Sequence, residues 1–179
     1  MKMANRHVAL IRGINVGRGK RVAMADLREL LNELGYQEVR TLLNSGNVVF
    51  SAGREKPARM GSRIEGAMSE RLGVSAAVTV LTSAAFSTVV EENSLGDVAH
   101  DPSRLLVAFG AQPAHLKQLE PLTRQSWSPE ALALGAAAAY LWCPEGVLAS
   151  QLPEAVGRAL GEAVTTRNWK TVQRIHAAL

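Results

Sequence analysis

The chain has 179 residues, 47% of them apolar and 20% charged, which suits one large globular domain or two small ones sharing a core. A single cysteine, Cys143, excludes an internal disulfide framework and any cysteine zinc site, and the most apolar stretch, residues 131–143, is too short to span a bilayer. The net charge of +4 is uneven: residues 1–21 carry +6 with no acid, residues 22–157 carry −5 and residues 158–179 carry +3, so anionic partners suit the two ends.

In chain order, HVALIRGI (7–14) reads as a buried strand; its Val8–Ile11 run is too short for a secretory signal, and the expected setting is reducing and cytoplasmic. Residues 10–21, LIRGINVGRGKR, then pack three glycines and four basic residues into twelve positions without an acid. In MADLRELLNELG, Met24, Leu27, Leu30, Leu31 and Leu34 form one helical face, stopped by Gly35. EVRTLL (38–43) and NVVFS (47–51) read as strands joined by a tight turn at Asn44-Ser45-Gly46-Asn47. Met60, Ile64, Ala67, Met68 and Leu72 mark a second helix, and AAVTVL (76–81) another strand, giving the βαββαβ order of a ferredoxin-like subdomain.

Residues 83–92 read as a connecting helix and 93–103 as a loop. A looser version of the first half follows. It comprises a strand at 104–110, a short helix at 112–119, a hairpin around Gly135 and a helix faced by Leu152, Val156, Ala159 and Leu160. A short strand at 162–166 and a last helix carrying Trp169, Val172, Ile175 and Leu179 complete it. The expected fold is therefore α+β, with two ferredoxin-like (βαββαβ) subdomains packed together, the second irregular, plus a C-terminal helix. The expected division is residues 1–82, a connection over 83–103, and residues 104–179.

Right-handed crossover places the ends of the first two strands at one end of the sheet, so the loop 15–21 faces the turn 44–47 beside the start of the first helix. A helix N-terminus presents N–H groups and a positive dipole, which suits an anion. The candidate ligand-binding set is Arg12, Asn15, Gly17, Gly19 and Lys20 from the loop and Ser45, Gly46 and Asn47 from the turn. TTRNWKTV (165–172), the second unusual stretch, adds Arg167 and Asn168. Glycines let backbone N–H groups turn toward a ligand, Asn and Ser offer adaptable hydrogen bonds, and Arg or Lys supply charge. An alternative accounts for the same residues structurally: the glycines permit positive φ, Asn47 closes a hairpin, and Thr165, Thr166 or Asn168 caps the last helix.

Specific signatures are missing. Ile14 stands where a P-loop needs its first glycine, Arg21 where it needs Ser or Thr, and Val22 where a dinucleotide fingerprint needs its third glycine. The central strands offer only Phe50 where an RNA-reading sheet wants several aromatics, there is no G-x-S-x-G around Ser45, and His7, His100, His115 and His176 have no metal-ligand spacing. The expected partner is a phosphate-bearing small molecule or nucleotide. The alternatives are a nucleic-acid-binding module using the basic ends, an enzyme on a phosphorylated substrate with Arg12 and Lys20 as charge stabilisers, or a structural, oligomerising protein. No general base, metal or cofactor is assigned, and no membrane partner is expected.

ALIRGINVG, MADLRELL, LGYQEVRTLLNSGNVVF and TTRNWKTV together resemble domain-of-unknown-function family 1697, a set of uncharacterised bacterial proteins; the likeness runs from about Val8 to Ile175. It implies two ferredoxin-like α+β subdomains packed together and supplies no activity, cofactor or catalytic residue. Arg12, Gly13, Asn15, Gly17, Arg40, Ser45, Gly46, Asn47, Thr166, Arg167, Asn168 and Trp169 stand at its characteristic positions. Lys170 stands where the family pattern has a second Asn, and Ser150-Gln151 where it has a Ser-Lys pair.

Overall fold

A computed structural model describes residues 5–179. Aliphatic runs make its strands and amphipathic runs its helices, and the chain groups into two compact units. One reaches to Ala84 and includes Ala177–Leu179; the other is Ala85–His176. The architecture is α+β, with two four-stranded antiparallel sheets and a C-terminal helix.

The first unit runs β1 (Asn5–Ile11), α1 (Met24–Glu33), β2 (Gln37–Leu42), β3 (Asn47–Ala52), α2 (Pro57–Leu72) and β4 (Val78–Thr82), in the sheet order β2-β3-β1-β4. The expected βαββαβ order is what the chain forms. Leu27, Leu30 and Leu31 of α1 and Met60, Ile64 and Met68 of α2 are buried against Ala9, Ile11, Val48 and Phe50 of the sheet, as residues three and four apart on a helix and two apart on a strand require. Val8, Leu10 and Val49, on the other face, are also fully buried.

In the second unit α3 (Ser83–Glu91), all but its first two residues, precedes β5 (Leu105–Gly110), α4 (Pro113–Lys117), α5 (Glu120–Thr123), β6 (Ala131–Leu134), β7 (Ala138–Trp142), α6 (Leu152–Leu160), β8 (Val164–Asn168) and α7 (Trp169–His176). The sheet order is β6-β7-β5-β8. Strand for strand this repeats the first unit's order. Leu106, Ala108, Ala139 and Leu141 pack against Leu152, Val156 and Leu160 of α6, while Phe86 of α3 stacks on Phe109 at 5.9 Å and Tyr140 Oη donates to Val89 O at 2.6 Å.

Several boundaries differ from the sequence reading. The first strand stops at Ile11, short of Ile14, because Gly13 (φ +68°) and Asn15 (φ +55°) leave the extended region. The turn is residues 43–46, and Asn47 is already paired in β3 opposite Leu42. The helix expected at 112–119 is shorter, Pro113–Lys117, and a separate short helix, Glu120–Thr123, follows it; Pro121, with no N–H, cannot carry the first one through. The strand expected at 162–166 starts two residues later, and α7 ends at His176, leaving Leu179 beyond it. Among the described residues, no helix is long and apolar enough to cross a membrane.

Candidate functional site

The loop 12–23 and the turn 43–46 meet, as strand direction requires. Ile11 N donates to Gly46 O at 2.8 Å, and the Asn15 side-chain amide donates to Asn44 O at 2.8 Å. Gly46 (φ +79°) sits so close to β1 that an added Cβ would lie 2.9 Å from Ile11 Cβ and 3.0 Å from Ile11 O. Only glycine suits both the conformation and the contact.

Asn15 closes the loop on itself. Its N–H donates to Lys20 O (2.7 Å), its Nδ2 also donates to Val22 O (2.8 Å), and its Oδ1 accepts from Val22 N (2.9 Å). Such a compact loop with close ends displays its middle residues. Gly19 N donates to Val16 O (3.1 Å), tightening the tip, where Val16, Gly17, Arg18 and Gly19 are exposed. The candidate residues therefore divide by task. The Asn15 amide holds the loop together, and Asn47, fully buried, donates to Leu42 O and Ser45 Oγ, both at 3.0 Å, and closes the hairpin.

The basic side chains divide as well. Lys20 Nζ donates to Ser75 O, and Arg21 donates to Gly17 O. Arg18 is exposed and, among the described residues, makes no hydrogen bond or ion pair. Arg12 is half-buried, with its N–H donating to Ala77 O at 2.9 Å. Next to the loop, α1 begins after Ala23, an extended residue whose side chain offers no cap to the first-turn N–H groups, and Asp26 is the one acid of that turn. Sequence reasoning favoured Lys20 and missed Arg18; the signal was its place between Gly17 and Gly19 at the loop tip.

Arg167 and Asn168 belong to the second unit. Arg167 is 9% exposed, paired across from Val107 in the sheet, and donates to Thr165 Oγ1 (3.1 Å) and Thr166 O (2.8 Å). Burial pulls its pKa down to about 10. Asn168 Oδ1 accepts from Thr171 N at 2.9 Å and so caps α7, which settles the capping residue in that stretch.

Reactive groups elsewhere are quiet. Cys143 is buried, which pushes its thiol pKa up. His100 lies edge-on to Trp142 with ring centroids 5.6 Å apart, while Asp101 accepts from Ser103. His176 is half-buried, 3.2 Å from Ser87 Oγ. A cavity of about 190 Å³ between α1 and α2 is lined by Asp26, Glu29, Glu33 and Arg71, with Glu33 and Arg71 ion-paired across it. No group of three or more metal-ligating side chains occurs among the described residues.

Comparison with known proteins adds a family and a fold. The family described as "Protein of unknown function (DUF1697)" matches residues 4–140. No curated protein matches. A solved structure, that of a conserved bacterial protein from Streptococcus pneumoniae, is similar with a TM-score of 0.79 at 24% identity, over 98% of each chain. At that identity the likeness speaks for the fold alone.

Proposed function

We propose that this chain, which belongs to the DUF1697 family, binds a phosphate-bearing small molecule or nucleotide in the cytoplasm, at the end of its first sheet where the loop 12–23 meets the turn 43–46. One observation carries the reading. Both units use the same strand order, yet the second passes from its first strand to its first helix through residues 111 and 112 alone, whereas the first uses residues 12–23. A short connection closes this topology, so the long, basic one is ordered for another purpose, and binding residues concentrate on such loops.

The parts suit an anion. Arg18 offers a guanidinium with no competing partner among the described residues, and Arg12 lies at the loop's base. The uncapped start of α1 adds N–H donors and dipole, and Gly17 and Gly19 leave the loop backbone uncovered. Asn15, Ser45, Gly46 and Asn47 set the geometry of loop and turn. Titration calorimetry with inorganic phosphate and a nucleoside monophosphate tests this. Arg12→Ala and Arg18→Ala each weaken binding about tenfold, in the range of a charge-assisted contact. Unchanged affinity in both variants sinks the placement. Binding only to oligonucleotides, falling steeply with salt, favours a nucleic-acid contact instead.

A further inference from the structure

We infer that the loop's ligand carries a ring-sized apolar body beside its phosphate, received by Val16 and Leu43; this rests on the phosphate reading above and names the chemical class of that ligand. Leu43 is 43% exposed and holds φ at +59°, and Val16 is 62% exposed. Left-handed backbone favours Gly or Asn, and an exposed turn favours a polar side chain. Leucine at position 43 fails on both counts, so neither the turn nor solvation accounts for it. Strain of this kind persists at functional sites when the side chain has a use.

The two residues lie at the same end of the sheet. Val16 follows Asn15 and Leu43 precedes Asn44, and the 2.8 Å hydrogen bond from the Asn15 side chain to Asn44 O joins those two neighbours. Arg18, Lys20 and Arg21 follow Val16 in the same loop, and no acid occurs from residue 12 to residue 25. Apolar surface beside a basic loop is complementary to a phosphate monoester with an apolar substituent. Two side chains of this size cover a single ring and no more.

Titration calorimetry with phenyl phosphate and methyl phosphate, both monoesters of the same charge, tests the assignment. Phenyl phosphate binds the natural chain about tenfold more tightly, and Leu43→Asn and Val16→Ser each bring that ratio toward one. Thermal unfolding runs beside it: Leu43→Asn unfolds no lower than the natural chain, which separates loss of contact from loss of fold. A ratio near one in the natural chain, with both compounds binding, overturns the apolar body and leaves the phosphate reading standing. If neither compound binds, the phosphate reading itself falls. A preference that survives both substitutions overturns the placement at Val16 and Leu43. Binding to phosphatidylglycerol vesicles without binding of phenyl phosphate overturns the soluble ligand in favour of a lipid surface.

Discussion

The two units lay four strands in the same order and then differ at equivalent places. Val8 pairs with Val49 on one side and Leu81 on the other; Val107, in the same position of the second sheet, pairs with Tyr140 and Arg167. Leu81 and Arg167 each stand two residues before a helix that starts directly after its strand, and both are buried. One ladder position thus accepts an aliphatic side chain or a guanidinium, provided the latter finds acceptors such as Thr165 Oγ1 and Thr166 O. The first connection differs more: residues 12–23 against residues 111 and 112. The shared parts are those a four-stranded antiparallel sheet needs, and the unshared parts are where this molecule departs from that need.

The sharpest way to break the comparison is at the hairpins. Gly46→Ala places a Cβ against the β1 backbone at a positive φ and costs about 3 kcal/mol in urea unfolding. At Gly135, in the equivalent hairpin, the nearest atom to an added Cβ is Glu92 Oε2 at 2.6 Å, the end of a flexible side chain, with Tyr140 at 3.2 Å. Gly135→Ala therefore costs only about 1 kcal/mol, including the disturbed hydrogen bond from Ala136 N to Glu92. Equal losses at the two glycines would mean that the rigid approach to Ile11 has no special weight.

Alkaline pH separates the units next. Burial pushes the Tyr36 phenol up to about 12, and its neighbours Arg63 and Glu55 act in opposite senses on it. The folded state keeps a proton that the unfolded chain releases near pH 10, so this contribution is whole below pH 10 and lost as pH rises toward 12, about 2 kcal/mol. Tyr140 is raised for the same reason, with Glu92 adding to it. Arg167 runs the other way: with its pKa lowered to about 10, the folded state gives up a proton before the unfolded chain does, and stability rises through the same window. The second unit thus carries an offset the first lacks. Urea midpoints at pH 9 and 11.5 check this, with Tyr36→Phe losing less than the natural chain over that interval.

The smallest effect is within the loop. Lys20→Met removes the donor to Ser75 O and lowers stability by up to about 1 kcal/mol, whereas Arg18→Met changes it by less than about 0.5 kcal/mol, because Arg18 holds nothing among the described residues. Thermal melts of both, beside their phosphate titrations, show whether structure and binding are divided between neighbouring basic residues as the geometry indicates.

Much of this molecule was legible in its sequence because the signals are local. Continuous aliphatic runs such as Val8–Ile11 mark the strands, residues such as Leu27, Leu30 and Leu31 at helical spacing mark the buried face of α1, and the handedness of a crossover brings the loop after β1 to the turn after β2. The second half was read with the same elements, its errors lying at helix and strand ends such as 112–119 and 162–166, where one proline or a short 3-10 turn moves the boundary. What the tertiary structure decided is the use of each side chain. Asn15 reaches Asn44, Lys20 reaches Ser75, Leu43 turns to a left-handed conformation and Arg167 is covered. Each outcome rests on partners or cover supplied across the fold, and chain periodicity records which face a residue takes but not which distant group meets it there.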